Sequence, residues 1–145
     1  KKIKSTKKLT VTFKKLYGKK LKKNRAIKVR VVAKNGDTIL ARSILTHVGG
    51  PKYRYTNTKK IKLSKKSYKL KKGKSLTLKP KLVRVNKKKK LMSAGHANKL
   101  RYASSDKSVA TVNEKGKVKA KGKGSCYIYI YAGNGMTQKV KITVE

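Results

Sequence analysis

Acidic side chains are nearly missing from this sequence: 4 Asp and Glu stand against 44 Lys and Arg, a formal net charge of +40 over 145 residues. General acid–base and glycosidase chemistry needs carboxylates converging on one pocket. Asp37, Asp106 and Glu114 instead each fall in a predicted turn, and Glu145 is the last residue. Turn hydrogen bonds account for such positions. The same scarcity leaves no cluster of oxygens for calcium. Cysteine is reduced to Cys126, which excludes an intrachain disulfide and a cysteine-rich metal site. His47 and His96 have no third ligand near them in sequence and read as solvated or turn-packing side chains. No catalytic residue, metal-ligand set or cofactor motif emerges, so a non-enzymatic protein is expected.

Apolar material is also sparse. Hydrophobic residues make up 37%, with no Trp and one Phe, below the usual apolar share of about 45–50%. No run approaches the roughly 20 apolar residues that a membrane-spanning helix requires. No signal peptide, sorting motif or lipidation site is visible. The sequence opens inside a Lys-rich, strand-like run and so reads as part of something longer. Low hydrophobicity with high net charge is the compositional mark of disorder. The apolar residues are patterned, however, and the pattern argues for a folded protein.

That pattern is period-two alternation from end to end. Leu9, Val11 and Phe13 alternate with Thr10 and Thr12; Ile27, Val29 and Val31 alternate with Lys28 and Arg30. The turn Asn35-Gly36-Asp37 precedes Ile39 to Leu45, which predicts a hairpin. After Gly49-Gly50-Pro51 comes a polar stretch read as a linker over 51–59. Strand signals resume at Ile61 and Leu63, then at Tyr68 to Leu70, Leu76 and Leu78, Leu82 to Val85, Leu100 and Tyr102, Val109 and Val112, and Val118 and Ala120. A last hairpin joins Cys126–Ala132 to Lys139–Val144 across Gly133-Asn134-Gly135. Short strands with a turn roughly every eight to twelve residues, and no convincing helix, predict an all-β protein built as a β-sandwich.

Several segments carry a family likeness. Leu70-Lys71-Lys72-Gly73-Lys74 followed by Leu76-Thr77-Leu78, Tyr102-Ala103-Ser104-Ser105-Asp106, Val109-Ala110-Thr111-Val112, Gly116-Lys117-Val118-Lys119-Ala120, Lys123-Gly124 and the closing Val140-Lys141-Ile142-Thr143-Val144 occur in that order. On these residues, 60–145 resembles a bacterial Ig-like domain of group 2. The family usually has Trp where this sequence has Tyr102, and Lys87 to Lys99 looks like an insertion. Residues 1–50 resemble, more weakly, the closing strands of a fibronectin type III domain. Ile27 stands at that family's tyrosine, so the tyrosine-corner hydrogen bond is lost. The expected organisation is a partial module over 1–50, a linker over 51–59 and the Ig-like sandwich over 60–145. Both resemblances imply extracellular modules of bacterial surface proteins, acting as spacers, stalks or adhesive units.

Two regions are candidate binding sites. Tyr127, Tyr129 and Tyr131 share one strand face, opposite Cys126, Ile128 and Ile130. Such a stripe serves either as cross-strand packing or as a stacking platform for sugar rings or bases. Cys126, in register with the two isoleucines, reads as a small buried hydrophobe. The second region is the run Lys87, Lys88, Lys89 and Lys90, with 90–98 expected to be the least ordered segment. The expected function is structural and adhesive, at the bacterial cell surface or outside the cell. Many weak Lys–anion contacts would hold anionic polymers, wall teichoic acids or host glycans. One alternative is a purely mechanical spacer. Another is a nucleic-acid-binding protein, since such a surface binds DNA non-specifically at low salt. Arg, favoured for base readout and bidentate phosphate contacts, is however far outnumbered by Lys.

Overall fold

The computed structural model describes residues 6–7, 12, 14–92 and 100–145. The alternation predicted over Leu9 to Phe13 lies, apart from Thr12, outside the described residues, as does His96. Every regular element among the described residues is a strand.

The first strands are short pairs. β1 (Lys15–Leu16) pairs with β2 (Lys19–Lys20). β3 (Ala26–Val29), β4 (Val32–Asn35), β5 (Thr38–Arg42) and β6 (Thr46–Gly49) form a hairpin about the predicted turn, its second arm running past Leu45 to Gly49. Its base pairs β3 with β6, in the register Ile27 opposite Val48, and its tip pairs β4 with β5 across the Gly36 turn. The tip leaves Val31, Val32, Ile39 and Leu40 exposed.

The rest is a sandwich. β7 (Thr58–Lys62) pairs with β10 (Lys81–Arg84). β9 (Ser75–Thr77), β12 (Ala110–Val112) and β13 (Lys117–Ala120) form a three-stranded sheet in the order β12-β13-β9. β8 (Ser67–Leu70), β11 (Arg101–Ser104), β14 (Gly124–Tyr131) and β15 (Thr137–Val144) form a four-stranded sheet in the order β11-β14-β15-β8. All its pairings are antiparallel except β15 with β8, which run parallel with Ile142 opposite Tyr68. Consecutive β8 and β9 thus belong to different sheets, and the Lys71–Lys74 turn carries the chain from one layer to the other.

Alternation fixes which side of each strand meets the other layer. Ile128 and Ile130 of β14, Val140, Ile142 and Val144 of β15 and Val118 of β13 are the largest fully buried side chains. Ile61, Leu78, Val109, Cys126 and the alanines Ala110, Ala120 and Ala132 complete the core, with Tyr68, Leu82 and Tyr102 among the side chains packed at its margin. Full burial of each such aliphatic group contributes about 1.5–3 kcal/mol. The bulk of the core is therefore supplied by branched aliphatic groups, with Tyr102 at its margin where the family usually has Trp.

One turn depends on glycine. In the β12–β13 connection the Asn113 side-chain oxygen accepts from the Lys115 and Lys117 amides at 3.0 and 2.9 Å. Gly116 closes the turn at φ 77°, and a Cβ there would lie 2.9 Å from the Tyr102 ring and 3.1 Å from the Leu78 carbonyl oxygen.

The hairpin is tied to the end of the sandwich. The His47 amide donates to the Gly133 carbonyl at 2.8 Å, and His47 itself is buried. Arg101 Nη2 donates to the Leu45 carbonyl at 3.0 Å, and within the sandwich Asn134 Nδ2 donates to the Thr58 carbonyl at 2.9 Å. Asn57 brackets Gly49: its Oδ1 accepts from the Gly49 amide at 2.9 Å and its Nδ2 donates to the Gly49 carbonyl at 2.7 Å. Residues 51–59 run through this region. Thr56 and Thr58 are buried in it, and β7 begins at Thr58.

Candidate anion-binding surface

The outer face of the four-stranded sheet gathers one of the two predicted regions. Register places Tyr127 opposite Lys141 and Tyr129 opposite Lys139, with Thr137 opposite Tyr131. Cys126, Ile128 and Ile130 point the other way and are buried. The Tyr129 and Tyr131 rings stack at 6.3 Å with planes 24° apart. Lys139 Nζ sits 4.3 Å from the centre of the Tyr127 ring. At such an exposed site this cation–π contact contributes about 0.5–1 kcal/mol. The face therefore alternates phenol rings with ammonium groups across neighbouring strands. Its packing already occupies part of the rings, while Tyr127 stays exposed.

The Lys87–Lys90 run lies in the loop after β10, which is fastened to residues 53–57. The Asn86 amide donates to Thr56 Oγ1 at 2.9 Å and the Lys88 amide to Asn86 Oδ1 at 2.9 Å. The Thr56 amide donates to the Lys90 carbonyl at 2.9 Å, and the Val85 amide to the Asn57 carbonyl at 3.0 Å. The four lysines are not equivalent. Lys89 is half-buried and its Nζ donates to the Tyr53 carbonyl at 2.6 Å. Lys87, Lys88 and Lys90 are exposed. Of the segment 90–98, only Lys90–Met92 fall among the described residues. The tyrosines stand on β14, whereas the lysine run lies in the loop after β10.

Three of the four carboxylates, Asp37, Asp106 and Glu145, have defined partners. Asp106 Oδ1 accepts from the Ser108 hydroxyl at 2.6 Å and the Ser108 amide at 2.8 Å. These bonds hold its carboxyl below the usual carboxylate range, the hydroxyl contributing most. Asp37 meets Lys34 at 3.5 Å and Glu145 meets Lys69 at 3.1 Å. Burial pushes the Cys126 thiol up, which keeps it protonated and a poor nucleophile. Among the described residues no three His, Cys, Asp or Glu side chains gather as metal ligands.

A groove escaped the sequence reading. Tyr53 and Tyr55, in the stretch read as a linker, pack edge to face at 5.9 Å, and the Arg54 guanidinium lies 5.0 Å from the Tyr55 ring centre. Tyr55 lines an open groove together with Pro51, Val85, Lys87 and Lys88. The interleaving of two aromatics with a cation in Tyr53-Arg54-Tyr55 was the available signal.

No curated protein matches the chain. Among solved structures it is similar to domains 4 and 5 of the S-layer protein SbsC, at 18% identity and a TM-score of 0.50, covering 81% of this chain and 66% of that one. It is likewise similar to a structure of SbsC residues 31–844, at 19% identity and a TM-score of 0.51, covering 84% of this chain and 16% of that one. The structure of SbsC domains 1–6 gives 19% identity and a TM-score of 0.50, covering 83% and 16%. The chain thus spans less than two thirds of these proteins, and at such identities the likeness is one of fold. The bacterial Ig-like domain (group 2) family matches residues 57–144. By that match, and by the sandwich that those residues form, the chain belongs to the bacterial Ig-like domain (group 2) family.

Proposed function

We propose that the chain is a non-enzymatic structural and adhesive module of a bacterial cell-surface or secreted protein, and that its cationic surface attaches to anionic polymers. The observation that carries this reading is the outer sheet face, where Tyr127, Tyr129 and Tyr131 alternate with Lys139 and Lys141 across the strands. Wall teichoic acids and anionic host glycans offer the matching charge. Family membership and the fold shared with S-layer protein domains support a cell-surface setting. The working organisation is a partial module over 1–50, a connector over 51–59 and the Ig-like sandwich beyond it. Each exposed Lys–anion contact contributes about 0–1 kcal/mol, so affinity comes from many contacts acting together.

A second reading, a mechanical spacer, is favoured by the hydrogen bonds tying the hairpin to the sandwich through Asn57, Arg101 and His47. A salt-titrated binding panel of wall polymer, heparin, mucin and DNA separates the two. The adhesive reading predicts saturable binding of wall polymer or anionic glycan at physiological salt, weakened when Tyr127, Tyr129 and Tyr131 are all replaced by Thr. No binding at that salt leaves the spacer. Affinity for DNA well above that for heparin makes the protein a nucleic-acid binder instead.

A further inference from the structure

At the junction of hairpin and sandwich lies the open groove bordered by Tyr55 and the lysine loop, with a volume of about 610 Å³. Three features distinguish it from the general cationic surface. The first is its chemistry: Tyr55 offers a ring, Pro51 and Val85 offer apolar walls, Asn86 an amide, and Lys87 and Lys88 ammonium groups. Val85 is 61% exposed, an aliphatic side chain left in water beside cations. No acidic residue lines the groove.

The second feature is order. The Arg54 guanidinium over Tyr55 and the edge-to-face contact between Tyr53 and Tyr55 hold the aromatic side chain in place. The third is that the loop requires no ligand to be fixed. Lys89 Nζ on the Tyr53 carbonyl, Arg84 Nη1 on the Lys89 carbonyl at 3.2 Å and the Thr56–Asn86 bond hold it, and Lys87 and Lys88 project from it. A site ordered in advance loses less entropy on binding.

A ligand suited to these groups has a ring with one apolar face, hydroxyls, and a negatively charged substituent. We propose that the groove is a discrete site for one anionic sugar unit of a polysaccharide, with Tyr55 stacking on the ring, Val85 against its apolar edge, and Lys87 and Lys88 on its sulfate, phosphate or carboxylate. The proposal rests on the polyanion-binding reading above and adds to it a specific place and a sugar requirement. A flexible phosphate chain meets only the two lysines; a sugar polymer meets the ring as well.

The test is calorimetric titration of the full chain at about 0.15 M salt, where long-range surface attraction is screened. The probes are a heparin-derived hexasaccharide, a linear polyphosphate of equal charge and a single-stranded oligonucleotide. Tyr55→Ala is expected to weaken the hexasaccharide roughly tenfold, as loss of one stacked ring does, and to leave polyphosphate unchanged. Val85→Glu places a carboxylate in the groove at an exposed position. It is expected to weaken both anions with the unfolding temperature unchanged, which keeps the test informative if Tyr55→Ala loosens the junction. If the wild-type chain binds the hexasaccharide and both variants bind it equally well, the groove is not the site, while the broader reading stands. A wild-type chain that binds no polyanion removes both. Tighter binding of the oligonucleotide than of the hexasaccharide overturns the sugar assignment.

Discussion

Replacing Gly116 by alanine separates two physical effects at one turn, provided that Gly73 is replaced as its control. Both glycines have positive φ, 77° and 84°. Alanine in that region costs about 1–2 kcal/mol from the approach of Cβ to the carbonyl oxygen. At Gly73 nothing lies within 4 Å of the added Cβ, so strain is the whole effect. At Gly116 the added carbon meets Tyr102 Cζ and Oη at 2.9 Å. Displacing a packed ring adds about 1–3 kcal/mol. Gly116→Ala should therefore destabilise the fold by about 2–5 kcal/mol, and Gly73→Ala by about 1–2 kcal/mol. Urea unfolding followed by far-ultraviolet circular dichroism measures both, with the slope unchanged if the variants stay two-state. Combining Gly116→Ala with Tyr102→Leu should recover the part owed to the ring, since the leucine removes the Tyr102 Cζ and Oη atoms and leaves only the Leu78 carbonyl contact. Equal losses for the two glycine variants, or no coupling to Tyr102, would refute the account of this turn.

Three further predictions follow from the core and the local hydrogen bonds. Ile128→Ala, at a fully buried position in the centre of β14, should cost about 2–5 kcal/mol in the same assay. Asp106 has a folded-state pKa below its ordinary value. Its contribution to stability is present above the ordinary carboxylate range and is lost as pH falls through the folded value; Ser108→Ala should raise the Asp106 titration midpoint seen by NMR and flatten this acid-side loss. Cys126 should resist a thiol reagent at neutral pH in the native state and react fully in denaturant; rapid native reaction would contradict its burial.

Much of the architecture is legible in the sequence because alternation states which face is dry. The burial of Cys126, Ile128 and Ile130 against the outward tyrosines, and the 35–37 and 133–135 hairpin turns, follow from period two and turn chemistry alone. Strand order is a different matter. The parallel pairing of Lys69 with Thr143 joins segments far apart in the chain, and no local pattern encodes it. The Lys71–Lys74 turn reads equally well as the tip of a hairpin, whereas it crosses between layers. At the candidate site, the lysine run is visible as composition, yet its inequality is not. Lys89 is taken by the Tyr53 carbonyl through a contact that depends on where two distant loops meet. Tyr55 was hidden for the same reason, since a polar stretch rich in Lys and Thr reads as a connector until Thr56 is seen pinned to the loop after β10 and Asn57 to Gly49 of the hairpin.

The most direct test of a polyvalent cationic module is the salt dependence of its affinity for heparin. Two ion pairs among the described residues leave most of the ammonium groups without a carboxylate partner. Binding should release counterions, and the logarithm of the affinity should fall linearly and steeply as the logarithm of salt rises. Neutralising Lys139 and Lys141 together should make that slope shallower by about two contacts' worth. An affinity that ignores salt, or a slope untouched by removing those two charges, would contradict the account.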